Sequence, residues 1–175
     1  MFPIRDESNP SDKTPWATIL LIILNVVIVL FSFFSGDPDA FISEYGIIPK
    51  NIVQGEGLFT LLTSMFVHGG IVHLVSNMWY LWLFGDNIER HFGSIKFLFF
   101  YCFLGIASEL THILLVSPDQ AHLPTIGASG AVSGVLGSYI CLFPRNKIKT
   151  FTFFFFQPVF LSVPASVYIG IWFLY

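Results

Sequence analysis

The sequence predicts an all-α polytopic membrane protein, and three observations carry that prediction. Of the 175 residues, 54% are hydrophobic and 11% charged, against roughly 25% charged in a soluble domain, whose surface must stay wet. Mean hydropathy is +0.73, and 21 residues are Phe, a side chain suited to lipid-facing and helix-packing positions. Apolar runs near the length needed to cross a hydrocarbon layer, about 20 residues, recur along the chain. A net charge of -3 with no basic stripe excludes nucleic acid as a partner.

Residues 1–15 read as a polar cytoplasmic tail. Asp6, Glu7 and Asp12 stand where a secretory signal would be positive, so the first apolar run is a retained membrane helix. Residues 16–175 form a single membrane domain with five expected helices. The first covers 16–34 and ends at the Ser35-Gly36-Asp37-Pro38-Asp39 break. A long loop to Val67 follows, with an apolar stretch from Leu58 that suits the membrane interface. The second helix, 70–84, and the fourth, 130–143, are short and carry polar residues. The third covers 95–116 and the fifth 151–175.

Lys and Arg gather in cytoplasmic loops. With the N-terminus inside, Arg5, Lys13, Arg90, Lys96, Arg145, Lys147 and Lys149 all fall on that side, leaving Lys50 outside. Cys102 and Cys141 lie within apolar runs and read as packing residues rather than a disulfide. The chain ends at Tyr175 with no polar flank or helix-stop signal, which reads as a C-terminal truncation.

Polar side chains inside apolar helices are costly and commonly functional. His73 and Asn77 are four residues apart, one turn on the same helix face. They could donate towards one point, or simply bond a neighbouring helix. Gly127-Ala128-Ser129-Gly130 opens the fourth helix, and Gly130, Gly134 and Gly137 leave room for close helix packing. At that helix start, free N–H groups and the positive dipole end would face an oxyanion developing beside Ser129. The tetrapeptide alone is weak evidence. Its spacing differs from the Gly-x-Ser-x-Gly elbow, and no strand precedes it. No His, Asp or Glu cluster has metal-ligand spacing, and no cofactor is implied.

His73-x-x-x-Asn77 followed by Met78-Trp79-Tyr80-Leu81-Trp82-Leu83-Phe84-Gly85-Asp86-Asn87-Ile88-Glu89 resembles the second-helix signature of the rhomboid family of intramembrane serine proteases. The run Pro124 to Gly137 is similar to that family's active-serine segment, and Leu142-Phe143-Pro144-Arg145 and Pro164-Ala165 match its bacterial members. The resemblance covers about 45–175 and implies a helical bundle with five of the usual six transmembrane helices. It implies Ser129 as nucleophile, with His73 and Asn77 lining an oxyanion hole together with the Ser129 N–H. His68 would support the site, Gly127 and Gly130 would keep bulk away from the serine, and Glu89 would accept structural hydrogen bonds. The family's Trp-Arg pair is missing from the first external loop.

A serine hydroxyl needs a base. The resemblance implies a Ser–His dyad, with the histidine on a sixth helix. The five histidines here, His68, His73, His91, His112 and His122, all precede Ser129. The dyad histidine is therefore not present in this chain, and the 175 residues are expected to be inactive alone. The implied function is endoproteolysis of single-span transmembrane proteins near their outer ends, in a bacterial inner membrane, with the site open outward. The alternative is an inactive relative that binds membrane helices. A transporter is disfavoured by the absence of paired inverted halves.

Overall fold

The computed structural model of the chain describes residues 1–7 and 14–174. The expectations placed on 8–13, Lys13 among them, and on Tyr175 lie outside the described residues. The chain opens with a strand, β1 (Phe2–Asp6), and continues with a long helix, α1 (Trp16–Phe34). Ala17, Thr18, Leu21, Asn25, Val29 and Ser32 of α1 are buried. Leu20, Ile23, Val27, Leu30, Phe31 and Phe34 on its other faces are exposed. An outward apolar band of that kind suits lipid rather than water. Gly36, at φ 88°, turns the chain out of the helix. Asp37 then caps α2 (Pro38–Tyr45) by accepting from the Ala40 N–H at 2.9 Å.

Short helices α3 (Pro49–Val53) and α4 (Thr60–Thr63) and a 3₁₀ turn (Ser64–Phe66) fill the long loop. Ile47 and Thr125 exchange two backbone hydrogen bonds, of 3.0 and 2.8 Å, tying this loop to the segment before Ser129. A bend of 96° separates Thr60–Phe66 from α5 (Ile71–Phe92). Helix α6 (Ser94–Leu115) follows directly, and α7 (Ser129–Leu142) packs against both α5 and α6. On α6 the buried residues Phe97, Tyr101, Gly105 and Glu109 repeat every fourth position, so one narrow stripe faces the bundle. Helices α1 and α6 are each long and apolar enough to cross a membrane, and the bent pair ending in α5 makes a third candidate span.

Glu89 joins the ends of three helices. Its Oε1 accepts from the Ala17 N–H at 2.9 Å and the Ser94 hydroxyl at 2.6 Å, and its Oε2 from the Thr18 N–H at 2.7 Å and hydroxyl at 2.8 Å. The first turns of α1 and α6 thus meet the last turn of α5 at one end of the bundle. Four donors and the dipoles of two helix starts compensate the burial of this carboxylate.

The structure corrects the sequence reading in four places. Residues 151–164, expected in a helix, form β2 (Lys147–Phe154) and β3 (Gln157–Pro164), an antiparallel hairpin; only α8 (Ala165–Leu174) is helical. Pro158 and Pro164 obstruct a helix here, and Phe, Thr and Val favour the pleated strand. The hairpin turns on Phe155 and Phe156 at φ 46° and 66°, left-handed conformations that cost about 1–2 kcal/mol per non-glycine residue. The expected tail of residues 1–15 contains β1, which pairs antiparallel with β2 in a sheet of order β1-β2-β3. The chain is therefore mostly helical but not all-α. The second helix runs on to Phe92, because Asp86 pairs with Arg90 at 3.2 Å and Glu89 is satisfied by its four donors. Finally, Gly130 and Gly134 do admit close neighbours, but a methyl at Gly137 would meet nothing within 4 Å.

Candidate active site

Ser129 is the first residue of α7, where backbone N–H groups have no partner within the helix. Its side chain lines an open cleft of about 260 Å³ with His73, Ser76, Asn77, Tyr80, Val132 and Trp172. Three residues singled out from the sequence, Ser129, His73 and Asn77, thus share one cavity, although 52 positions or more separate the serine from the other two. Asn77 donates from Nδ2 to the His73 carbonyl at 2.9 Å, one turn back along α5. That bond uses one of its two N–H groups and leaves the other for the cleft.

Gly127 sets the distance between the α5 and α7 sides of the cleft. Its φ of 116° lies in a region L side chains rarely adopt, and a Cβ there would come within 2.7 Å of His73 Cε1 and Nε2. The His73 ring therefore rests against the Gly127 backbone, two residues from Ser129. Gly127 donates its N–H to the Ser64 carbonyl at 2.9 Å, which holds the 3₁₀ turn beneath it. On the other side of the serine, a Cβ at Gly130 would lie 2.6 Å from Ser108 Cβ, so α6 and α7 touch there.

His68 lies behind this layer in the loop before α5. Its Nδ1 is 3.4 Å from the Phe66 carbonyl, its Nε2 3.5 Å from the Ala128 N–H, and its ring centroid 4.9 Å from that of His73. A neutral ring donates from Nδ1 and accepts at Nε2, which matches both neighbours.

The other histidines sit elsewhere. His112 lies 3.0 Å from the Thr125 hydroxyl, His91 packs on Phe92 and Phe143, and His122 is exposed. None of the three lines the cleft. Glu89 belongs to the helix-end junction and not to the cleft. Sequence reasoning assigned no role to Tyr80 or Trp172, whose rings stand 5.7 Å apart and close one wall. Tyr80 was visible within the second-helix motif, three residues beyond Asn77; Trp172 carried no local signal.

A family model described as "Rhomboid domain" matches residues 55–175. The chain belongs to the rhomboid family. Among its relatives, "Rhomboid protein 1, mitochondrial" of Saccharomyces cerevisiae (strain ATCC 204508 / S288c) is 36% identical over 117 residues, which cover 65% of this chain and 33% of that protein. "Rhomboid protease GluP" of Bacillus subtilis (strain 168) is 38% identical over 96 residues, 55% of this chain and 18% of the relative. "Inactive rhomboid protein 1" of Drosophila melanogaster is 38% identical over 85 residues, 49% of this chain and 6% of the relative. The rhomboid chain described here thus spans a third or less of the length of these relatives, which include proteins named as protease and as inactive. Family membership and the apolar helices make it an integral membrane protein.

Proposed function

We propose that this rhomboid chain carries the nucleophile and oxyanion half of an intramembrane serine endopeptidase acting on single-span membrane proteins. The observation that carries the reading is the shared cleft of Ser129, His73 and Asn77 at the start of α7. Ser129 Oγ attacks the scissile carbonyl. The carbonyl oxygen becomes an oxyanion beside the free N–H groups of the α7 first turn and the Asn77 and His73 donors. Gly127 lets the imidazole approach the backbone, and the neutral His68 ring steadies the Ala128 peptide. Removing one such oxyanion donor typically lowers kcat about 10²–10³-fold.

Hydrolysis also needs water. With 14 residues at about 1.5 Å each, α7 is about 21 Å long, shorter than a hydrocarbon layer of about 30 Å. A serine at its outer end would lie below the membrane surface, in a cleft open to water. At 22 residues α5 is not short, so this argument rests on α7 alone. The orientation follows from charge: Arg90 and Lys96 flank the Glu89 junction, and Arg145, Lys147 and Lys149 follow the inner end of α7. We place that end in the cytoplasm, the cleft on the outer side, and the protein in a bacterial inner membrane. The substrate reaches Ser129 laterally, past α8.

No histidine follows Ser129 within the 175 residues. A Ser–His dyad therefore takes its imidazole from outside them, and the 175-residue chain alone does not cleave. A second reading, an inactive rhomboid that binds membrane helices, is favoured by the relative whose name says it is inactive. A fluorophosphonate probe on the complete gene product in membranes separates the two. The enzyme reading expects labelling that Ser129→Ala abolishes, together with cleavage of a single-span test substrate. An unlabelled serine in well-folded protein supports the binder instead.

A further inference from the structure

Two pairs of opposite charges meet at the inner end of the bundle, away from the Ser129 cleft. Arg5 and Asp6 are neighbours in β1, and Asp86 and Arg90 stand one turn apart near the end of α5. Asn87 ties the pairs together: its Nδ2 donates to Asp6 Oδ2 at 2.8 Å and to Asp86 Oδ1 at 2.7 Å. The Tyr139 hydroxyl of α7 also donates to Asp6 Oδ2, at 3.1 Å. Three elements thus fix where these charges stand, and all four charged residues line one cavity of about 200 Å³ with the apolar Ile4, Leu83 and Trp82.

Two guanidinium groups and two carboxylates leave this lining with no net charge. They are not used up on one another. Arg90 meets Asp86 through one contact of 3.2 Å, although a guanidinium carries five N–H donors. Asp6 Oδ1 accepts nothing among the described residues. A lone anion here would face two carboxylates and a lone cation two guanidinium groups, so neither fits. The lining suits one ligand that carries both signs close together. Its depth says where such a ligand comes from. Arg90 flanks the Glu89 junction at the bundle end, the level of the phospholipid headgroups. Trp82 is 52% exposed, as suits an indole at that interface. Pro15, in the same cavity wall, immediately precedes α1, whose exposed Leu20 and Ile23 lead on into the hydrocarbon.

We propose that this cavity is a binding site for an aminophospholipid headgroup of the phosphoethanolamine class. Arg5 and Arg90 hold the phosphate, and Asp6 and Asp86 hold the primary ammonium, which an ethylene bridge keeps nearby. The acyl chains run outward past Trp82. The chemistry sets a selectivity. A choline headgroup has no N–H to donate to the carboxylates, and a glycerol headgroup has no positive charge to offer them.

Native mass spectrometry of the 175-residue chain, released from detergent micelles after titration with phospholipids of identical chains, reads retention directly. Phosphatidylethanolamine is expected to be retained at least about tenfold more tightly than phosphatidylcholine or phosphatidylglycerol, the worth of one charge-assisted hydrogen bond. Asp86→Asn is expected to erase the preference over phosphatidylglycerol. Arg5→Gln, at an exposed position of the strand, is expected to weaken retention of all three, and it keeps the test open should Asp86→Asn misfold. Phosphoethanolamine without chains is expected to bind far more weakly than the lipid. Equal retention of the three lipids by the parent chain, or unchanged retention in Arg5→Gln, overturns the site. A preference that survives Asp86→Asn in folded protein overturns the role of the carboxylates and the proposal with it. Equal binding of free phosphoethanolamine assigns the cavity to a soluble ester and overturns the lipid.

Discussion

Replacing Glu89 by Gln keeps the shape of the side chain and removes its charge, so the loss can be worked donor by donor. The carboxylate is 2% exposed and takes four hydrogen bonds of 2.6–2.9 Å. If the Gln nitrogen replaces Oε1, it can donate to the Ser94 hydroxyl, which rotates to accept, but the Ala17 N–H then faces a nitrogen. If it replaces Oε2, the Thr18 hydroxyl adapts in the same way and the Thr18 N–H loses its acceptor. In either arrangement one backbone N–H is orphaned, at about 1–3 kcal/mol, and the remaining bonds drop from charged to neutral strength, about 0.5–1 kcal/mol each. Water from the adjoining cleft, lined by Thr14, Pro15, Arg90 and Gly93, relieves part of this, leaving a loss of about 3 kcal/mol. For a chain of this size that lowers the melting temperature by about 6–12 °C. Thermal unfolding in detergent micelles, followed by circular dichroism, measures it. A Glu89→Gln protein melting within about 2 °C of the parent would refute the view that this carboxylate holds three helix ends together.

Gly134→Ala is expected to destabilise the chain by about 1–3 kcal/mol, because the new methyl would sit 2.7 Å from Leu104 Cδ2. Gly137→Ala on the same helix meets nothing and should stabilise by up to about 1 kcal/mol through helix propensity; the two melts should move in opposite directions. Gly127→Ala combines a left-handed backbone with a clash on the His73 ring, at about 2–4 kcal/mol. The His73 ring resonances should shift with it, which NMR of histidine-labelled protein detects.

The helices that sequence placed best are those with unambiguous ends. The first matched residue for residue, and α6 and α7 lie one residue from expectation at each end, because Gly36 and Pro38, Gly93, and Ser129 punctuate apolar runs. The second helix was cut at Phe84 because Asp86, Glu89 and Arg90 look like a loop until their partners are known. Those partners, Ala17 and Thr18, lie 72 and 71 residues away. The hairpin failed for a related reason. A run of Phe satisfies hydropathy in either conformation, so Pro158 and the pairing with β1 decided it. Ser129, His73 and Asn77 were singled out by local properties, a helix start and a four-residue spacing, and the structure adds that they line one cleft. Trp172 was not, since it reaches the cleft only through the packing of α8 on α7.

The Glu89 junction also orders events in time. The first turn of α1 is made early in synthesis, but the carboxylate that satisfies Ala17 lies 72 residues later. At about 5–20 residues per second, the ribosome takes about 4–14 s to supply it. Through that interval α1 stands at the membrane with two bare N–H groups and no neighbour. It must either hold them in the wet headgroup layer or borrow partners from the insertion machinery. When residues 89–94 emerge, a single side chain retires those donors and sets the starting point of α6 in the same step. Until the junction closes, the first turn of α1 is an unfinished helix end.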